Sequence, residues 1–181
     1  MAKQLITSMG LDLSLVGTGV VVLENGKISH QSLIKSKPVG DRPTDELKRI
    51  RKIVSQIQEV VDEYRPTVVV IENMAFMARN TTALTQLAGL NYFVRAMVTD
   101  YGIPFYLVAP TSLKKFITCN GAAKKDVMLI ETFKRYGVSI LNDNECDAYG
   151  LAQIGLALLG GNSKTVTKIQ EEVLSLITKQ K

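Results

Sequence analysis

The chain has 181 residues, of which 46% are hydrophobic and 22% charged, as expected for one globular domain. Two cysteines and a single histidine, His30, are too few for a four-ligand Cys/His zinc site, and any serine or cysteine nucleophile would depend on His30, which no motif surrounds. No apolar run approaches the roughly 20 residues needed to cross a bilayer, and the N-terminus does not resemble a secretory signal, so we expect a cytoplasmic location. The net charge of +5 favours a polyanionic partner.

The first part of the chain is typical of strands joined by hairpins. Apolar and valine-rich runs predict strands over 5–13 and 17–23. Asn25-Gly26 is a tight-turn pair that leads into a third strand from Lys27 to about Ile34. Helical spacing of apolar residues then predicts a helix from Thr44 to Tyr64, with Thr44 or Asp45 as its cap.

Strands and helices alternate in the middle of the chain, which is typical of an α/β protein. A β-branched run predicts a buried strand over 67–72, followed by a helix over 81–99 and a strand over 103–108. Further helices are expected over 111–117, 123–136, 143–159 and 164–179. This order predicts a ribonuclease H-like fold whose five-stranded mixed sheet, with three antiparallel strands and then two parallel ones, is flanked by helices. Residues 1–161 would form the main domain, and 162–181 an amphipathic C-terminal helix of that same domain.

Three acidic residues lie at positions typical of catalytic or metal-binding carboxylates. Asp12 sits between apolar neighbours in the first strand, where a charge is costly without a partner. Glu72 ends the buried strand, and Asp147 begins an apolar helix whose face Asn144 and Asp143 share if the helix already runs there. Oxygen ligands of this kind suit Mg²⁺ or Mn²⁺, and paired metal ions can hydrolyse a phosphodiester. Taken singly, each acid also has a structural interpretation, as a turn residue, an ion-pair partner or a helix cap.

Basic and aromatic residues provide candidate nucleic-acid contacts. Two pairs of lysines, at positions 114–115 and 124–125, can neutralise phosphates, although a solvated helix face would look the same. Phe76 can insert between bases or simply pack, and Arg79 can meet a phosphate.

Four segments in order resemble the RuvC Holliday-junction resolvases over most of the chain, roughly Ile6 to Gly160. They are MGLDLSLVGTGVVV, RPTVVVIE followed by FMARN, PTSLKKFITCNGAAKKDV, and NECDAYGLAQIG. The resemblance implies a homodimeric endonuclease that nicks opposing strands of four-way DNA junctions in a bacterial or phage-infected cell. It also implies two Mg²⁺ ions per active site, with Mn²⁺ as a substitute.

The resemblance assigns roles residue by residue. Asp12, Glu72 and Asp147 become metal-binding catalytic residues, Lys114 and Lys124 meet the scissile phosphates, and Phe76 stacks at the junction point. The sequence departs from the family pattern in three places. An extra residue before Phe76 lets Met74 compete with it, and a residue missing between the lysines makes Lys115 and Lys125 alternatives. The fourth metal ligand falls on Asn144, which can coordinate but carries no charge, with Asp143 and Glu145 as substitutes.

The sequence is also compatible with other functions. A less selective nuclease for branched DNA, such as a phage enzyme, fits the same residues, and the uncharged Asn144 is compatible with a junction-binding protein that does not cleave. Nucleotide-binding proteins of the actin and sugar-kinase type also place an aspartate before a Gly/Thr turn. They require a second such domain and a second glycine-rich loop, which the sequence does not show.

Overall fold

A computed structural model of the chain describes residues 6–74, 81–161 and 166–179 and is built around a five-stranded sheet. Its order is β3-β2-β1-β4-β5, in which β1–β2 and β2–β3 are antiparallel and β1–β4 and β4–β5 are parallel. The predicted mixed sheet is therefore confirmed. The strands are Thr7–Asp12 (β1), Gly17–Glu24 (β2), Lys27–Lys35 (β3), Val68–Glu72 (β4) and Phe105–Val108 (β5).

The hairpin between β2 and β3 follows from its two turn residues. Asn25 and Gly26 have φ of 48° and 85°, and a two-residue turn of the kind that matches strand twist requires positive φ at both positions. Asparagine and glycine tolerate that conformation better than other residues, so this pair fixes the predicted turn.

The described helices agree with the predicted ones to within a few residues. They are Pro43–Tyr64 (α1), Thr81–Asp100 (α2), Pro110–Thr118 (α3), Lys125–Tyr136 (α4), Asp143–Leu158 (α5) and Lys168–Thr178 (α6). The predicted cap of α1 at Thr44 or Asp45 is wrong, because Arg42 is the N-cap residue and Pro43 is the first residue of the helix. Proline is favoured there because the first N–H groups of a helix have no partner within the helix, so its missing N–H costs no hydrogen bond. Asp45 is instead buried and accepts a 2.9 Å hydrogen bond from Arg42.

Helices cover both faces of the sheet because strand side chains alternate between them. Leu11 and Ile71 point into a core shared with α1 and α2, whereas Val68 and Val70 point to the opposite face and into the core that contains α5. On that second face, ten of the sixteen residues of α5 are buried. α5 is therefore the central helix of its layer.

The C-terminal helix α6 packs on the same core as α5. Val173 and Ile177 are buried in that core, and a capping box between Thr167 and Gln170 satisfies the first turn. That 162–181 belongs to the same domain stays a prediction, which this packing favours. None of the helices in the described ranges is both long and apolar enough to cross a membrane.

Candidate active site

Two glycines allow α5 to lie directly against the sheet. A Cβ on Gly10 would lie 2.0 Å from the carbonyl oxygen of Ala148, and a Cβ on Gly19 would lie 2.1 Å from that of Asn144. Any larger residue would push the helix away. The Asn144 side chain secures the same contact by donating a 2.5 Å hydrogen bond from Nδ2 to the carbonyl oxygen of Gly17. The first turns of α5 are thus held against the start of β2, beside the end of β1.

Strand register brings the first two acids together. Leu11 of β1 lies opposite Ile71 of the parallel strand β4, so the next residues, Asp12 and Glu72, are neighbours on strands about 4.8 Å apart. Both side chains point to the face that α5 covers. A hydrogen bond joins the two carboxyl groups, and Asp147, in the second turn of α5, interacts electrostatically with both. Three separate elements therefore supply one acidic centre.

The acidic centre is dehydrated and crowded. Burial first, and then the charges of Asp12 and Asp147, raise the pKa of Glu72 to about 8. Burial and the charge of Asp12 raise the pKa of Asp147 to about 7. Burial also raises the pKa of Asp12, to about 6, although the hydrogen bond from Glu72 opposes this rise. Near neutral pH the two carboxyl groups of Asp12 and Glu72 therefore share one proton.

These residues fit a hard divalent cation. Their donors are all oxygens, the atoms that Mg²⁺ and Mn²⁺ prefer, and their repulsion is relieved only by a proton or a cation. In the described part of the chain, no three His, Cys, Asp or Glu side chains already form a ready-made metal-binding group. The proton shared by Asp12 and Glu72 reduces the repulsion between the carboxylates, as a bound divalent cation would.

One lysine from each predicted pair lies close to the acidic centre. Lys125, at the start of α4, lies 3.1 Å from Asp143, and its charge lowers the pKa of Asp12 and of Asp147. Lys114 on α3 acts in the same direction on Glu72 and Asp147. Their neighbours differ from them. Lys115 pairs at 2.9 Å with Glu172 of α6, and Lys124 is an exposed residue preceding α4.

The three candidates for a fourth metal ligand also separate in space. The charge of Asp143 raises the pKa of Asp147, which places it beside the acidic centre. Asn144 directs its Nδ2 to Gly17, as described above. Glu145 turns toward β3, where its Oε1 accepts a 3.2 Å hydrogen bond from Gln31. A ligand role for Asn144 stays a prediction, and Asp143 is the candidate that the geometry favours.

Other predicted residues lie elsewhere. Phe76 and Arg79 fall outside the described residues. Met74 is half-buried and lines a cavity of about 350 Å³ with Leu84, Ala88 and Tyr92 of α2. His30 bonds the Ser32 hydroxyl at 2.8 Å, in keeping with a structural role.

Sequence reasoning missed the residues that support the acidic centre. Thr18 braces the loop after Asp12, because its hydroxyl donates to the carbonyl oxygen of Ser14 at 2.7 Å and accepts from its N–H at 3.2 Å. The Gly-Thr-Gly run at 17–19 is the sequence feature from which the hydrogen bonds of Thr18 and the close approach of α5 could have been predicted.

The raised pKa values predict that the metal-free protein loses stability as pH rises. Below about pH 4 these carboxyls are protonated in both states. Between there and the folded pKa of Glu72, about 8, the unfolded chain releases protons that the folded protein keeps, so unfolding becomes more favourable. We expect a lower melting temperature at pH 8.5 than at pH 5 in EDTA.

The matched comparison is Glu72→Gln, which removes the group with the largest shift and should flatten this decline. Burial lowers the pKa of His30, which acts in the opposite direction, so the informative quantity is the difference between wild type and variant. A wild-type protein that gains no stability relative to Glu72→Gln when the pH is lowered would contradict the shared-proton arrangement.

The sheet order, with acids at the ends of β1 and β4 and a third acid on α5, defines a domain of the ribonuclease H-like fold. A model of the family described as "Crossover junction endodeoxyribonuclease RuvC" matches residues 8–153. The chain therefore belongs to that family, which confirms the resemblance stated above and decides against the actin-type alternative.

Relatives and solved structures agree with this assignment. The RuvC of Chlorobium chlorochromatii is 32% identical over 112 residues, which cover 61% of this chain but only 56% of that relative. The RuvC of Brachyspira hyodysenteriae is 27% identical over 146 residues, which cover 80% of this chain and 90% of that relative. The Thermus thermophilus RuvC structure superposes with a TM-score of 0.69 at 21% identity, covering 86% of this chain and 98% of that one. The structure of the yeast mitochondrial Holliday junction resolvase superposes with a TM-score of 0.58 at 12% identity, covering 80% of this chain and 75% of that one. Both structures confirm the fold.

Proposed function

We propose that this chain is a metal-dependent DNA endonuclease that hydrolyses phosphodiester bonds at four-way junctions by symmetric nicking. The observation that carries the proposal is the convergence of Asp12, Glu72 and Asp147 from β1, β4 and α5 on one dehydrated centre. Membership of a family of crossover junction endodeoxyribonucleases supports the reaction. The T. thermophilus RuvC solved with a Holliday junction substrate, at a TM-score of 0.70, supports the substrate class.

The family depends on divalent metal ions, and for this chain we propose Mg²⁺, with Mn²⁺ as a substitute and two ions per active site. Asp12, Glu72 and Asp147 would hold them, with Asp143 adding a charge that Asn144 lacks. Bound ions of this kind activate water and stabilise the leaving oxygen of a phosphodiester. The chain's own acids position that chemistry and must release their shared proton before they can carry a cation.

Lysines around the acidic centre would bind the DNA backbone. We propose that Lys114 and Lys125 face the scissile phosphate, because their charges already act on the acids. Lys115 and Lys124 would contact the backbone further out. Phe76 and Arg79 keep their proposed roles at the junction point.

A homodimer is the proposed active form. A junction with two strands to cut calls for two active sites related by a twofold axis. α2 offers a surface for it, since Tyr92 and Phe93 are 68% and 39% exposed, and Leu84 and Ala88 line an apolar cavity beside Tyr92. The DNA substrate also favours action in the cytoplasm of a bacterial or phage-infected cell.

The test is nicking of a labelled four-way junction in Mg²⁺ and in EDTA. We expect paired nicks at symmetry-related positions in Mg²⁺ only. Equal cleavage of forks and flaps would favour the broader branched-DNA nuclease. Tight binding without cleavage in any divalent ion would favour a junction-binding protein instead.

Lys125→Ala is expected to slow cleavage by roughly 100-fold, the usual effect of removing one charge-stabilising donor from an active site. Single-turnover nicking with saturating enzyme measures this rate. Lys134→Ala is the matched control, because this lysine lies in the last turn of the same helix, is 63% exposed and pairs only with Glu131 among the described ion pairs, and such pairs contribute about 1 kcal/mol or less. If both variants lost the same activity, Lys125 would have no special position.

A further inference from the structure

A concave surface lies between α1 and the end of β3, on the opposite side of β2 from Asp12. It has a volume of about 420 Å³, and five cationic side chains line it without any aspartate or glutamate among the described residues. We call this surface the basic groove, and its cations are Lys35, Lys37, Lys48, Arg49 and Lys52.

The basic groove opens at the same end of the sheet as the acidic centre. β3 runs parallel to β1 because both are antiparallel to β2, so Lys35 ends its strand on the side where Asp12 ends β1. Asp12 pairs with Gly19 and Lys35 with Gly17. Two strand spacings and two residues along β2 place their Cα atoms about 12 Å apart. Backbone phosphates of one DNA strand rise about 3.4 Å each, so this distance spans about four nucleotides.

Arg49 fixes the wall of the groove to the loop that follows Asp12. Its Nη2 donates to the carbonyl oxygen of Leu15 at 2.6 Å and to that of Ser36 at 3.3 Å, and its Nε donates to the Ser36 hydroxyl at 2.9 Å. Leu15 lies three residues after Asp12, at most about 10 Å of chain. The groove wall is therefore hydrogen-bonded to the loop that follows Asp12.

The remaining cations are available to a ligand. Lys35, Lys37 and Lys52 are exposed, and none forms an ion pair with any residue in the described ranges. Lys48 lies 3.6 Å from Asp45 but is 71% exposed, and a surface pair of this kind is weak. Like charges gathered without acidic partners repel one another, and a polyanion would relieve that repulsion.

We propose that the basic groove binds the phosphate backbone of a DNA arm leaving the acidic centre. This inference rests on the proposed function, since it takes the substrate to be branched DNA. Lysine ammonium groups act as point charges on phosphate and carry no information about base sequence. The groove thus contributes affinity and sets the path of an arm, while the acids and Lys125 act at the cut.

The test is the double variant Lys37→Gln/Lys52→Gln, with Lys27→Gln/Lys179→Gln as a control of equal charge change at exposed positions away from the groove. Junction affinity is measured across a salt series. We expect the groove variant to bind roughly tenfold more weakly and its slope of log affinity against log salt to fall by about 2, because two phosphate contacts are lost. Its cleavage rate at saturating enzyme should match wild type.

A second measurement uses junctions whose arms are trimmed to a few base pairs. The difference between wild type and the groove variant should disappear on these substrates, whereas contacts at the crossover itself would keep it. A salt slope equal to that of the control, or a difference independent of arm length, would overturn the proposal. Both measurements report binding, so they remain decisive even if the wild-type protein does not cleave, which would overturn only the proposed function.

Discussion

Asp12→Asn is expected to abolish junction cleavage, with a rate at least ~1,000-fold below wild type, while the protein stays folded and binds the junction. Asp12 is hydrogen-bonded to Glu72 and acts electrostatically on Asp147, so its loss removes a carboxylate that interacts with both of the other acids. A reduction of that size corresponds to about 4 kcal/mol of transition-state stabilisation. Single-turnover nicking in Mg²⁺, beside a binding measurement in Ca²⁺, separates the two effects.

Stability should change in the opposite direction from activity. Removing one charge from a crowded, dehydrated centre should leave the metal-free variant at least as stable as wild type at pH 8. Asp100→Asn, at an exposed position ending α2, is the control and should change neither property. Cleavage that persists in Asp12→Asn would remove the proposed mechanism.

Gly19→Ala is expected to cost both stability and activity, through a single added methyl group. Its Cβ would lie 2.1 Å from the backbone oxygen of Asn144, so α5 must move away from β2. Overpacking of this kind typically destabilises a protein by about 2 kcal/mol. Moving α5 also carries Asp147 away from Asp12, and misplacement by about 1 Å can slow a reaction roughly 100-fold. Urea unfolding and single-turnover nicking measure the two losses.

Gly89→Ala provides the comparison for this glycine. Gly89 lies inside α2, where a Cβ would meet the Ile50 side chain at an ordinary 3.4 Å. Alanine is preferred to glycine in a helix by about 1 kcal/mol, so this change should be neutral or slightly stabilising. A Gly19→Ala protein as stable and active as Gly89→Ala would show that close contact between α5 and β2 does not position Asp147.

The acidic centre was predictable because strand ends can be recognised in the sequence. Asp12 and Glu72 each close an apolar run, and carboxyl ends of neighbouring parallel strands meet at one edge of a sheet. Asp147 was predictable only from its place at the start of an apolar helix. Periodicity identifies such a helix but not its depth, which Gly10 and Gly19 set from another part of the chain.

The sequence could not show which of two adjacent candidate residues lies at the acidic centre. Lys124 and Lys125 are adjacent residues of the same type, yet Lys124 lies before the first turn of α4 whereas Lys125 pairs with Asp143. Likewise, the rotation of α5 about its axis decides that Asn144 bonds Gly17 while Asp143 lies near Asp147. Such preferences depend on contacts between elements far apart in the chain, so spacing alone left them open.

The buried carboxyls of the acidic centre are expected to exchange their proton for a divalent cation. Titration calorimetry with Mn²⁺ at pH 6.5, in two buffers of different ionisation enthalpy, measures both the binding and the protons released. We predict that wild type binds the ion with proton release, because carboxyls of raised pKa must deprotonate to coordinate it. Asp12→Asn should bind far more weakly. Equal binding by both proteins, or binding by wild type without proton release, would contradict this exchange of a proton for a cation.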